Sequence, residues 1–185
     1  MSPDDRAGPR RSLEGMDTHT LLVDHVGRIH ELVVDVVEGL DLETAHRRPL
    51  DRGNPVVWLL WHTARVQDDH VAGLAGEEQA WVGWASRFDL PLDLEDFGYG
   101  HGPEEVDAVR VDDLDLLVAY HAAVHERTLS YLRRLDPATG VGPEELDRVV
   151  DDAWDPPVTA GVRLVSVIGD CLQHLGQAAY VKGLL

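Results

Sequence analysis

Residues 160–185 read AGVRLVSVIGDCLQHLGQAAYVKGLL, a run without proline that predicts one long helix to the end of the chain. Thr159 stands just before it and offers a hydroxyl of the kind that caps a helix start. Leu164, Val165, Val167, Ile168, Leu172 and Leu175 are apolar, and a single carboxylate, Asp170, interrupts them. His174 follows four residues later, so the two side chains share a face about 6 Å apart along the axis. An ionised carboxylate in such a run needs a partner, because desolvating it is costly. A metal ion held by both is one solution. The other is an Asp170 that faces solvent and a His174 that is a hydrogen-bonded core residue.

Three more segments have helical character. A stripe of Leu22, Val26, Ile29, Val33 and Val37 predicts a first helix over about 17–40. Asn54-Pro55 is a start signal, Asn as cap and Pro at the first helical position. A second helix therefore runs from Pro55 through VVWLLWHTARVQDDHVAGLAG to Gly73 or Gly76. A third is expected over about 112–135, with Asp112, Asp113 and Asp115 at its positive end and Arg133 and Arg134 in its last turn. EEQAWVGWASRF and PEELDRVV read as short helical pieces, LETAHRRPLDRG as a loop, and WDPPV as a break. No segment has convincing strand alternation. The expected fold is all-α: a four-helix bundle with short extra helices, residues 16–185 forming one domain behind a flexible leader, 1–15.

Composition narrows the function. The chain has 185 residues, 34 of them Asp or Glu and 16 Lys or Arg, for a net charge of −18. That balance argues against nucleic acid and against anionic membrane surfaces. Residues 89–115 hold ten acids against Arg110 and four glycines or prolines between Gly98 and Pro103, so half of the charge falls on what reads mainly as a loop. This long connection permits a crossover from the second helix to the third. Cys171 is the only cysteine, and neither a signal segment nor a spanning helix is evident, so a cytoplasmic protein is expected. A thiol beside Asp170 in an apolar helix suits packing better than nucleophilic chemistry.

Other chemistry-bearing residues lie on helix faces. His62 sits among Trp58, Leu59, Leu60 and Trp61 and points inward, either as a satisfied core residue or as a ligand. Asp69, two turns on, is placed to orient an imidazole or bind a cation, unless it is simply solvated. His121 and His125 form a second i, i+4 pair, read as pocket lining or as a second metal pair. The Glu of the HExxH zinc-protease pattern is missing from it.

NPVVWLLWHTARVQDDHVA, WVGWASRF and DCLQHLGQAAYVKG together resemble the DinB/YfiT-like superfamily of small metalloproteins, over about 17–185. The resemblance implies a four-helix bundle that binds a divalent metal through one His of the second helix and an HxxxH pair of the fourth. Carried to this chain, the ligands are His62 and His174, with the first His of the pair replaced by Asp170. The mycothiol-dependent maleylpyruvate isomerases look similar there, with Glu at that position. Two His and a carboxylate suit zinc and are compatible with nickel, iron or manganese. The resemblance further implies a low-molecular-weight thiol as co-substrate, of the mycothiol or bacillithiol kind, and a thiol S-transferase or isomerase acting on a small molecule in detoxification. Gln177 then stands behind His174, and Arg65 is placed to meet an anionic thiol. A metal-dependent hydrolase with Asp69 or His121 as base stays open, as does a non-catalytic bundle that dimerises through a helix face.

Overall fold

In the computed structural model, residues 16–185 are described. The leader expected over 1–15 lies outside the described residues. Four long helices form: α1 (Thr18–Val37), α3 (Val56–Ala75), α6 (Leu114–Leu132) and α7 (Ala160–Leu184). Between them lie three short ones, α2 (Leu42–His46), α4 (Trp81–Phe88) and α5 (Pro103–Ala108). The fold is an all-α bundle, as the helical periods predict.

Capping accounts for most of the starts. Asp17 accepts from the Thr20 amide at 2.7 Å to open α1, Asp113 from the Asp115 amide at 2.9 Å to open α6, and Thr159 from the Val162 amide to open α7. The start of α3 differs from expectation. Asn54 does not cap it; Pro55 occupies the cap position in an extended conformation with no side-chain bond, and the helix begins at Val56. Gly76 ends it with φ +70°, a left-handed conformation that a glycine adopts at little cost.

α3 lies between α6 and α7, and α1 closes the bundle against the same two helices. Sixteen of the twenty residues of α3 are buried, so it is the central helix. Directions follow from the contacts. Asp68 meets Tyr120 and the Ala75 carbonyl meets Arg134, so α3 and α6 run parallel. Lys182 reaches the carbonyls of Asp35 and Glu38, so α7 ends where α1 ends. Parallel α3 and α6 require a connection that travels the length of the bundle. Residues 76–113 make that crossover.

Three local differences from the sequence reading have simple causes. LETAH is helix rather than loop, because Asp41 caps it through both the amide and the hydroxyl of Thr44. Part of the acidic stretch is α5, opened by Pro103 and by Glu105, which bonds back to the Gly102 amide. PEELDRVV splits into a 3-10 turn, Pro143–Asp147, and a strand, β1 (Val149–Asp151), which pairs antiparallel with β2 (Val158–Thr159) across the WDPPV break. No helix among the described residues is long and apolar enough to cross a membrane.

Candidate metal centre

α3 and α7 bring His62, Asp170 and His174 together. One donor atom from each lies within 4.8 Å of the others, the one such group among the described residues. Nε2 of His174 is 3.6 Å from Oδ1 of Asp170, and the rings of His62 and His174 meet edge-on at 4.7 Å. Each imidazole is held from behind. Nδ1 of His62 lies 2.5 Å from the Phe97 carbonyl, and Nδ1 of His174 lies 3.0 Å from Oε1 of Gln177. Carbonyl oxygens only accept, so both Nδ1 atoms carry the proton and both Nε2 atoms keep a lone pair. Outer partners fix metal-binding histidines in this way. Oδ2 of Asp170 is buried with no hydrogen-bond partner, which is what a carboxylate oxygen meant for a cation would show. The residues present therefore fit a divalent ion.

The electrostatics agree with this. Burial pushes the His62 imidazole below its ordinary pKa, against the opposing pull of the Phe97 hydrogen bond, so the ring is neutral at neutral pH. Burial pushes the Asp170 carboxyl up, but the adjacent His174 and the nearby His62 and His70 imidazoles outweigh it and the group stays ionised. The Asp170 carboxylate beside it, against burial, holds His174 above its ordinary value. A proton on His174 and a metal ion are therefore competitors for one place.

The crossover packs over this cluster. Gly98 has φ +90°, and a Cβ there would lie 2.7 Å from Nδ1 of His62 and 3.0 Å from the Trp61 ring. No other residue type fits so close to the bond that orients His62. His101 accepts from Nε1 of Trp58 at 3.1 Å and donates to Asp96 at 2.9 Å, and the Trp58 ring stacks on His62 at 4.7 Å and 14°. Gly98→Ala is expected to weaken metal binding 10- to 100-fold, the range for disturbed outer partners, read by competitive titration with a chromophoric chelator. Wild-type affinity in that variant would contradict the role given to the Phe97–Gly98 turn.

Arg65 is not available to a thiol, contrary to the sequence reading. Its side chain is wholly buried, bonded to the carbonyls of Leu94 and Asp96 and to Oε1 of Gln79, with Asp68 3.8 Å away. The charge points into the crossover rather than toward the cluster, because that is where its buried partners are. Asp68 in turn accepts from the amides of Ala80 and Trp81 and from the Tyr120 hydroxyl. These two buried residues of α3 pin the crossover at both ends of its first half.

His121 and His125 are also placed elsewhere. Nδ1 of His121 lies 3.1 Å from Nδ1 of His30, and the His125 ring packs on His30 at 4.8 Å. That face of α6 turns to α1 and takes no part in the His62 cluster, so neither residue lines the site or serves it as base. Burial, then the charges of His30 and His125, lowers the His121 pKa to about 3. A folded value below the unfolded one, near 6.5, contributes stability in full above pH 6.5 and loses it progressively as pH falls toward 3. Between pH 6.5 and 4.5 the loss is on the order of 2 kcal/mol. Urea unfolding at both pH values is expected to show a pH-dependent loss smaller by that amount in His121→Phe. Equal losses in the two proteins would refute it.

Of the remaining residues, Gln177 touches His174 as described, while Asp69 pairs with His70 and Gln79 instead of a cluster histidine. Cys171 is fully buried, and burial followed by the charge of Asp170 raises its thiol far above the ordinary range. A cavity of about 190 Å³ opens beside the cluster, lined by His62, His70, Phe97, Tyr99 and Asp170 among others. The sequence reading missed His70, Phe97, Gly98 and His101. The one signal for the last three was the glycine density of GYGHG, which marks close backbone approach.

The family described as the DinB superfamily matches residues 25–178. The crystal structure of a conserved protein from Enterococcus faecalis is similar: identity is 36%, covering 90% of this chain and 96% of that chain, with a TM-score of 0.78. No curated protein matches the chain.

Proposed function

The chain belongs to the DinB superfamily, and on that premise we propose that it is a divalent-metal-dependent thiol transferase or isomerase. In this reading His62, Asp170 and His174 hold the ion. The observation that carries it is the donor set itself: two imidazoles locked with Nε2 free and a carboxylate whose inner oxygen is buried without a partner. Three protein donors leave a position open for a reactant, as in catalytic rather than structural sites. Zinc suits the set, and nickel, iron and manganese are compatible with it.

When bound, such an ion lowers the pKa of a thiol so that it reacts as thiolate near neutral pH. The chain's own residues do the rest. His62 and His174 present lone pairs held in one orientation by Phe97 and Gln177. Asp170 supplies the negative charge that offsets the ion. Phe97, Val66 and Val167 give the adjoining cavity apolar walls for a small electrophile. Cys171 is sealed in the core, so the reactive sulfur comes from a low-molecular-weight co-substrate. The test is turnover of a haloarene by zinc-loaded protein supplied with mycothiol or bacillithiol. Turnover that needs both metal and thiol is expected. Full metal occupancy without turnover by either thiol would sink the reading. Thiol-independent cleavage of an ester would select a hydrolase, which the imidazole of His70 on the cavity wall also suits.

A further inference from the structure

Two cavities lie along the seam between α3 and α7, and His70 lines both. One is the space of about 190 Å³ beside His62 and Asp170. The other, of about 260 Å³, is bounded by Asp69, Leu74 and Arg163. His70 therefore stands at the junction, within the same cavity as the metal cluster yet outside it.

Its imidazole stands beside Asp69, which is itself anchored. Nδ1 lies 3.2 Å from Oδ2 of Asp69. The other oxygen of Asp69 accepts from Nε2 of Gln79 at 2.8 Å, and Oε1 of Gln79 accepts from the buried Arg65 at 2.7 Å. An exposed His–Asp pair on a helix has no such backing. Here a line of polar contacts runs from the cavity to a guanidinium with no solvent exposure. His70, 3.2 Å away, holds the Asp69 carboxyl below its ordinary range despite partial burial. With Nδ1 turned to that carboxylate, the tautomer with its proton on Nδ1 is electrostatically favoured, which leaves the lone pair on Nε2.

We propose that His70 is the proton acceptor for the nucleophile at this centre, with Asp69 as its positioning residue. The proposal rests on the metal-dependent reading given above. In the step assigned to it, the S–H bond of the thiol breaks, the electron pair stays on sulfur, and the proton forms a new N–H bond at Nε2 of His70. Asp69 stabilises the resulting imidazolium, which afterwards returns the proton to the leaving group or to solvent. The charged and titratable groups around His70 are Asp69 and His62 from α3, Asp170 and Arg163 from α7, and Tyr99 from the crossover. The Phe97 ring stands 6.3 Å away.

The test uses the full-length protein. Zinc-loaded His70→Gln is expected to keep its metal content while kcat for haloarene conjugation falls on the order of 100-fold or more, the usual worth of a positioned base. His70→Ala is expected to recover part of the rate on addition of imidazole, which a purely structural role would not allow. In metal-free protein, nitrogen-15 spectra of the histidines should show His70 protonated on Nδ1, and Asp69→Asn should abolish that preference. Undiminished turnover in His70→Gln, or a His70 protonated on Nε2, would overturn the proposal. If the wild type binds zinc and turns nothing over, the thiol-transferase reading fails by itself. The nitrogen spectra then judge the Asp69–His70 pair: an Nδ1 proton that Asp69→Asn leaves unchanged refutes it.

Discussion

Asp170→Ala is expected to reduce bound metal from near one ion per chain to below a tenth, with the helical content unchanged. The carboxylate is the only anionic member of the cluster, and His62 and His174 alone leave a divalent charge uncompensated beside buried apolar residues. The buried, unpartnered Oδ2 has no other role to keep it there. His62→Ala and His174→Ala should do the same, since each removes one of three donors. The measurement is elemental analysis of protein dialysed against zinc buffer. A thermodynamic readout runs alongside: zinc at a hundred times its Kd stabilises a protein that binds it only when folded by about 2.7 kcal/mol. That increment should appear in the wild type and vanish in each variant. Metal retained at one per chain in Asp170→Ala would remove the carboxylate from the site.

Asp68→Ala is expected to destabilise the protein by on the order of 3–5 kcal/mol, the usual cost of removing one partner from a buried charged pair. The residue is 2% exposed, and its two oxygens serve the amides of Ala80 and Trp81 and the hydroxyl of Tyr120. Its removal leaves these three donors and the Arg65 guanidinium without their anion in a site that water does not reach. Urea unfolding at pH 7 measures it, and a loss below 1 kcal/mol would contradict the account. The damage should also travel. Asp68 ties down the start of the crossover and Arg65 ties its middle at Leu94 and Asp96, just before Phe97. Metal affinity should therefore fall together with stability, although Asp68 touches no ligand.

The long helices were legible because each has a sustained apolar period, and three of the four begin at a capping residue. Asp113 and Thr159 behave as their residue types predict. The His62, Asp170 and His174 grouping was legible in part from the spacing within α7, and otherwise from the family resemblance; nothing in the sequence alone says that α3 lies beside α7. Arg65, His121 and His125 were misread for one reason. A polar residue on a mostly buried helix has to face some partner, and the period does not say which neighbouring element supplies it. For Arg65 that element is the crossover, and for the histidines it is α1. The acidic stretch misled differently. Its composition hid two backbone features, the Phe97 carbonyl and the left-handed Gly98, that bear on His62 without any side-chain chemistry of their own.

That stretch also has a bearing on kinetics. Residues 89–115 carry half of the chain's negative excess, and their Phe97 and Tyr99 border the cavity beside the three candidate donors. Their field raises the local concentration of cations within a Debye length, about 10 Å at 0.1 M salt. For an ion held as proposed, the rate of arrival would then depend on this segment and on ionic strength, and the rate of departure on the three donors. For an ion held as proposed, the same anionic excess would act, at this one place, as an antenna.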